Sequence, residues 1–280
     1  MINRSESGVA LIAVLLFLLL IAIAGMIAVR QGSLDLRVAT NEQADVLMLN
    51  SSDSVLAHIE TVAGDNNHVL RPQMMSQTRG VLGYFIPIGG ANADPNEKVD
   101  HQVRFCYTPN AQTFFDVERA RVLLPGGGTM RTNDGACNPN NAQDYISGRN
   151  TVMTQVVTRG LTSQTADSDN FKLALEGEQT GAGLTPPSSR IAMHSVSMLP
   201  GLSSAGSADI RNCMDMAVGD ITNANYGNNF GTRNLTTCLQ EQGVPAKAIV
   251  EEATLRFERE ADVCDNAQLA ADGTCRAPTP

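Results

Sequence analysis

Residues 9–29, VALIAVLLFLLLIAIAGMIAV, form an apolar stretch without a single charged or amide side chain. As an α-helix that rises about 1.5 Å per residue, it spans the roughly 30 Å hydrocarbon core of a bilayer. A helix also pairs its backbone N–H and C=O groups within the segment, as a lipid environment requires. The stretch therefore predicts one transmembrane helix, which follows the short polar leader MINRSESG.

Three fates of this N-terminal segment fit the sequence. The residues AIA at 22–24 resemble a signal-peptidase site, and cleavage there would release a secreted protein beginning at Gly25. Against this fate, the leader holds one basic residue, Arg4, balanced by Glu6, and the apolar run continues past the site. The second fate is an uncleaved signal anchor, which the length of the run permits.

The third fate follows from the junction of leader and helix, where Ser5-Glu6-Ser7-Gly8 precedes Val9 directly. This junction resembles a type IV prepilin leader, which a prepilin peptidase cuts after a glycine on the cytoplasmic side. The resemblance implies cleavage between Gly8 and Val9 and methylation of the new N-terminus. From Gly8 to Glu60 the chain is similar to PilX-type minor pilins. This similarity includes Arg30-Gln31, Asn41-Glu42 and Asn50-Ser51-Ser52-Asp53.

The family resemblance implies a location and a set of partners. It places the chain in the inner membrane as a single-pass protein with its C-terminal domain in the periplasm, and at the pilus tip after assembly. The implied partners are other minor pilins, the major pilin, the prepilin peptidase and the inner-membrane assembly platform. The implied function is to prime or cap a type IV pilus; a type II secretion minor pseudopilin is the alternative within this class.

Ala13 departs from the family pattern, because most pilins carry Glu at the fifth mature position. In the family, that carboxylate meets the N-terminal amine of a neighbouring subunit. An unpartnered charge deep in a bilayer costs roughly 3 kcal/mol or more. A subunit without such a neighbour avoids this cost when Ala replaces Glu. The K-type pseudopilin, which caps its assembly, lacks the Glu as well. The departure favours a tip or initiation subunit.

The remaining chemistry of the sequence predicts a structural protein without cofactor or metal, and not an enzyme. A net charge of −9 offers no basic patch for nucleic acid. No P-loop, G-x-S-x-G or H-E-x-x-H motif occurs, and the four histidines share no metal-ligand spacing. They are His58, His68, His101 and His194. An adhesin or enzyme with a conventional signal peptide is the rival interpretation.

Two oxygen-rich loops contain residue types that bind calcium, but neither has EF-hand spacing, so solvated loops are predicted. They comprise Asp167-Ser168-Asp169-Asn170 and a second set, Asp134, Asn138, Asn140, Asn141 and Asp144.

All six cysteines follow the apolar segment, and an even, dispersed set indicates periplasmic disulfides. Sequence permits 15 connectivities; pairing of neighbours gives Cys106–Cys137, Cys213–Cys238 and Cys264–Cys275. The resemblance to pilins also favours the pair Cys264–Cys275, because many pilins close a C-terminal loop with a disulfide.

The helix is predicted to continue beyond the membrane to about Ala63, because the first proline is Pro72 and apolar residues recur at helical spacing. This stripe comprises Met48, Leu49, Val55, Leu56, Ile59, Val62 and Ala63. Later runs around 99–107, 152–158, 191–199 and 250–257 predict strands, with loops at 126–128, 181–189 and 200–207.

The sequence thus predicts an α+β, pilin-like fold in which the second half of the long helix packs on an antiparallel sheet. Its segments are a prepilin leader at 1–8, a transmembrane half-helix at 9–29, an amphipathic half-helix at 30–63 and a periplasmic globular domain at 64–280.

Overall fold

A computed structural model describes residues 6–65, 67–76, 80–86, 94, 96–109, 115, 119–126, 129–130, 135–162, 188–219 and 233–256. Four α-helices are present in this part of the chain: α1 (Glu6–Gly64), α2 (Arg71–Met74), α3 (Ser207–Met214) and α4 (Leu235–Glu241). The six strands are β1 (Gln102–Cys106), β2 (Arg121–Leu123), β3 (Thr129–Met130), β4 (Met153–Leu161), β5 (Ser188–Met198) and β6 (Ala246–Arg256). The fold is α+β.

Helix α1 ends one residue beyond the predicted boundary, at Gly64. The next residue, Asp65, accepts a hydrogen bond from the Asn67 backbone N–H at 2.9 Å, which stabilises a turn where the helix stops. The chain forms two compact units, of which the first ends at Leu47 and the second begins at Met48. The docked half of α1, residues 48–64, therefore belongs to the same unit as the sheet.

The sheet is antiparallel, as predicted, with the order β3-β2-β1-β4-β5-β6. Its centre is β4, which pairs with β1 on one side and β5 on the other. Strands β5 and β6 pair over eleven consecutive residues, from Ser188↔Arg256 to Met198↔Ala246, without a bulge. The predicted strand runs 99–107, 152–158, 191–199 and 250–257 overlap β1, β4, β5 and β6.

Two hydrophobic clusters cover the two faces of the sheet. On one face the docked half of α1 contributes Val55, Ile59 and Val62, which are fully buried. On the opposite face α3 and α4 supply Ile210 and Leu239. The sheet is therefore a central layer, which explains why β4 is buried along almost its whole length.

Helices α3 and α4 are absent from the sequence prediction, which gave only strands and loops beyond residue 64. They are short, and their helical pattern covers two turns, too few for periodicity to reveal them. A local signal does exist at α4, where Asn234 and Thr237 form a reciprocal capping box. Two predicted loops also end early, because β5 begins at Ser188 and α3 at Ser207.

Candidate membrane and assembly segment

The apolar part of α1 is exposed on all sides. Every Leu, Ile, Val, Met and Phe side chain from Leu11 to Val29 is between 49% and 76% exposed. An 18-residue window of this helix reaches a mean hydropathy of 3.2, and none of that window is buried. By length and composition α1 fits a membrane span or a signal anchor. Each large apolar side chain moved from water into an apolar environment contributes about 1.5–3 kcal/mol, so the preference for lipid is strong.

The first charged residue after the apolar stretch is Arg30. Beyond it, two hydroxyl side chains form hydrogen bonds with carbonyl groups of the helix backbone. The Ser33 hydroxyl donates to the Arg30 carbonyl at 2.9 Å, and the Thr40 hydroxyl donates to the Leu36 carbonyl at 2.7 Å. These bonds run to carbonyls three and four residues earlier, so they leave the helix intact. The helix therefore passes from an apolar to a polar surface at Arg30 without a break.

The predicted processing site lies at the start of α1, since Gly8 and Val9 are helical residues. Ala13, one turn further along, is exposed. Between Leu11 and Val29 the helix carries no carboxylate and no amine, so it places no charge of its own at membrane depth. Cleavage after Gly8 and the meaning of Ala13 stay predictions.

The docked half of α1 presents one apolar stripe to the sheet. The predicted stripe residues Met48, Val55, Leu56, Ile59 and Val62 are at most 3% exposed. Two members differ: Leu49 is 43% exposed and Ala63 is half-buried. Leu49 lies about 100° around the helix from Met48, on the side away from the buried stripe.

Buried hydroxyl groups join the docked half of α1 to the sheet. The Ser52 hydroxyl donates to the Ser197 hydroxyl at 2.7 Å, and Ser51 and Thr154 hydroxyls lie 3.0 Å apart. Thr154 and Ser197 close the network at 2.6 Å across β4 and β5. Ser51 and Ser52 belong to the segment Asn50-Ser51-Ser52-Asp53 named in the sequence analysis. In the structure they form polar contacts within an otherwise apolar interface between helix and sheet.

Two of the four histidines, His58 and His101, each contact a different tyrosine. His58 Nδ1 lies 2.7 Å from the Tyr107 hydroxyl, and His101 Nδ1 lies 2.7 Å from the Tyr84 hydroxyl. Burial lowers the pKa of both His58 and His101. Within the described ranges no three His, Cys, Asp or Glu residues come together as a metal site. These histidines are partners of tyrosines, which is a structural role.

The oxygen-rich loop near residue 140 directs its ligand atoms to protein donors. Asp144 is fully buried, and its carboxylate accepts hydrogen bonds from Arg119 at 2.9 Å, the Asn138 N–H at 2.8 Å and Asn141 Nδ2 at 2.8 Å. A guanidinium beside the carboxylate supplies the positive charge that a calcium ion would bring. The oxygen atoms of the Asp144 carboxylate are therefore already bound by protein donors. Asp134 and residues 167–170 lie outside the described residues.

The described part of the chain contains two disulfides, between Cys106 and Cys137 and between Cys213 and Cys238, with Cα–Cα distances of 4.8 and 5.3 Å. Each joins cysteines that are neighbours in sequence order. The first ties the end of β1 to the loop that precedes β4, and the second ties α3 to α4. The third suspected pair, Cys264 with Cys275, lies outside the described residues.

A fully buried arginine is the main polar feature that the sequence prediction missed. Arg104 on β1 forms an ion pair with Asp215 at 2.7 Å and donates to the Met214 carbonyl at 3.0 Å. Burial lowers its pKa to about 10, and Asp215 opposes that shift, so Arg104 stays charged at neutral pH. An arginine flanked by Val103 and Phe105 was the available signal. Its role is to hold the end of α3 on the sheet.

No family model matches the chain, and no curated protein or solved structure is significantly similar to it.

Proposed function

We propose that this chain is a minor pilin, stored in the inner membrane by α1, which helps to prime a type IV pilus or caps its tip. The observation that carries the proposal is the junction at Gly8, where a polar leader meets an exposed apolar helix. Further support comes from the docked half of α1, whose apolar stripe covers an antiparallel sheet. A filament subunit needs both parts: a helix that leaves lipid for other helices, and a domain that stays folded.

Ala13 is the basis for a tip position instead of a shaft position. In a shaft, each subunit's amine has a neighbouring carboxylate, and replacing that carboxylate by Ala leaves a charged amine unpaired in apolar surroundings at a cost of several kcal/mol. A tip subunit need not supply that carboxylate. The chain's partners in this role are the other minor pilins, the major pilin, the prepilin peptidase and the assembly platform.

N-terminal sequencing of the protein, recovered from the membranes and the soluble fractions of its own cells, tests the processing step. A chain that begins at Val9, with a methylated amine, supports the pilin proposal. A start at Gly25 assigns a secreted protein, and a start at Met1 assigns a plain signal anchor. Gly8→Val should prevent the cleavage. Gly32→Val is the matched control, because an added Cβ at Gly32 meets no atom within 4 Å.

Deletion of the chain tests the priming step. We expect the number of surface pili to fall sharply, both in the deletion strain and with Gly8→Val, and to be normal with Gly32→Val. Normal pilus numbers in the first two strains, with this protein as abundant as the major pilin in wild-type filaments, would contradict the proposal. Normal pili combined with a loss of protein secretion would assign the chain to a type II secretion system. Ala13→Glu should disturb tip assembly.

A further inference from the structure

Two arginines lie directly opposite each other on neighbouring strands, on the side of the sheet that carries α3. Arg104 of β1 is paired in register with Arg121 of β2. The Arg104 guanidinium reaches the end of α3, and residues paired across two antiparallel strands point to the same side of the sheet. Like charges in this arrangement are destabilising. The pair therefore requires negative charge nearby.

One carboxylate serves both arginines. Asp215 Oδ1 lies 2.7 Å from Arg104 Nη2 and 3.6 Å from Arg121 Nη1. In the described part of the chain no other carboxylate forms an ion pair with either arginine. A further positive charge, Arg211 of α3, is close enough to lower the pKa of Arg104, in addition to burial and the charge of Arg121. Two guanidinium groups thus share one carboxylate, which leaves an excess of positive charge.

Arg121 is the member of the pair whose donors are unused. A guanidinium has five N–H donors, yet among the described residues that of Arg121 donates no hydrogen bond. Its Nε is buried without a partner, and 3.6 Å to Asp215 is too long for a hydrogen bond. The Arg121 side chain is 27% exposed and that of Asp215 beside it is 33% exposed. A small ion can therefore approach this guanidinium from solvent.

The end of α3 accounts for Arg104 but not for Arg121. The Met214 carbonyl, at the last residue of α3, accepts hydrogen bonds from Arg104 at 3.0 Å and from Gln155 at 2.9 Å. The C-terminus of a helix attracts cations, so Arg104 has a structural role there. Arg121 shares neither of these bonds. The folded protein therefore gives no structural use to its donors within the described residues.

We infer that Arg121 binds an oxyanion, either a phosphate or a carboxylate group, through the donors that the protein leaves unused. The planar fork of a guanidinium matches the paired oxygens of both groups, and charge strengthens these hydrogen bonds. A bound anion also offsets the excess positive charge, to which Arg104 and Arg211 both contribute. The site lies on the α3 side of the sheet, opposite the docked half of α1. This inference does not depend on the role in pilus assembly.

Titration of the purified full chain in detergent micelles with inorganic phosphate, acetate or chloride at equal ionic strength tests this inference. The chain carries ¹⁵N-labelled arginine, and the Nε–H signal of Arg121 is assigned by its absence in R121Q. We expect this signal to shift in a saturable manner with phosphate or acetate, at a concentration about tenfold or more below that at which chloride acts. Equal ionic strength removes general screening as a cause. The anion that saturates at the lower concentration distinguishes phosphate from carboxylate as the preferred group.

Thermal unfolding separates binding from a structural role of Arg121. The preferred anion should raise the melting temperature of the wild-type chain in a saturable manner, because it binds the folded state. R121Q should lose this rise, whereas R149Q, which removes the same charge at an exposed position, should keep it. Without added anion R121Q should melt no lower than wild type, since it removes a charge opposite Arg104 and no hydrogen bond.

The inference is overturned if neither oxyanion acts at a lower concentration than chloride. It is also overturned if R121Q keeps the rise in melting temperature or R149Q loses it. A melting temperature of R121Q well below that of wild type in anion-free buffer would overturn it as well, because Arg121 would then be a structural partner of Asp215.

Discussion

The two ends of α1 share one secondary structure and have opposite surfaces. From Leu11 to Val29 the large side chains are apolar in every direction and exposed, whereas from Met48 to Gly64 apolar residues form one stripe, buried under a sheet. Helical backbone alone therefore does not decide the environment of a segment. A helix that is apolar all round requires an apolar surrounding, while one that is apolar on one side requires a single packing surface.

The largest effect is expected from charges placed in the exposed apolar end. Leu16→Arg together with Leu19→Arg puts two guanidinium groups at membrane depth, each at about 2.5–3.5 kcal/mol on an insertion scale. The chain should move from the alkali-resistant membrane fraction to the extractable fraction. Leu36→Arg, at an exposed position beyond Arg30, is the control and should stay in the membrane. Equal extraction of both variants would show that residues 9–29 do not anchor the chain.

A truncation in the docked half should affect folding and not membrane attachment. Ile59 is fully buried against the sheet, so Ile59→Ala should lower the free energy of unfolding by about 2–5 kcal/mol. Denaturant unfolding of the full chain in detergent measures this. Leu36→Ala removes a similar volume from a side chain that is 71% exposed, and should change stability by no more than about 0.5 kcal/mol. Similar losses in both variants would contradict the contrast.

Two serines on the same helix provide a finer comparison. Ser52→Ala removes a buried donor to Ser197, so we expect a loss of about 1 kcal/mol in stability. Ser33→Ala removes an exposed hydroxyl that bonds only to the helix backbone, and its effect should be close to zero. If Ser33→Ala were the more harmful change in a denaturant titration, the buried hydroxyl network would have no anchoring role.

The smallest effect concerns pH at the flank of the docked half. The pKa of Glu251 is raised from 4.5 to about 7, so between these values the folded chain binds more protons than the unfolded chain. Stability should therefore fall as the pH rises from about 4.5 to 7, by roughly 0.5 kcal/mol once solvent screening is allowed for. Glu251→Gln should flatten this slope, measured as melting temperature against pH. Glu252→Gln is the control and should keep the slope. A flattened slope in this control variant would contradict the assignment of the pH dependence to Glu251.

The long helix and the central strands were predictable from sequence because each depends on a repeated local pattern. Helix α1 follows from a continuous apolar run and a stripe at helical spacing, and its end follows from Gly64 and the turn-forming residues after it. Strands β4 and β5 follow from β-rich runs between turn signals. In each case many neighbouring residues favour the same structure, so no distant contact is needed to decide it.

Contacts between distant residues decided the rest. Helices α3 and α4 are too short to show a period and are held by a disulfide and by Arg104, whose partner Asp215 lies 111 positions away. The place of β6 at one end of the described sheet is equally invisible in sequence, since it exists only through the order of strands in that sheet. Sequence alone determined where the chain is apolar and, to within three residues, the predicted bounds Val9 and Ala63 of the helix that the structure describes as Glu6–Gly64, because those properties are local. The tertiary structure decided which charges are buried, paired or crowded, because charges interact across space regardless of their separation along the chain.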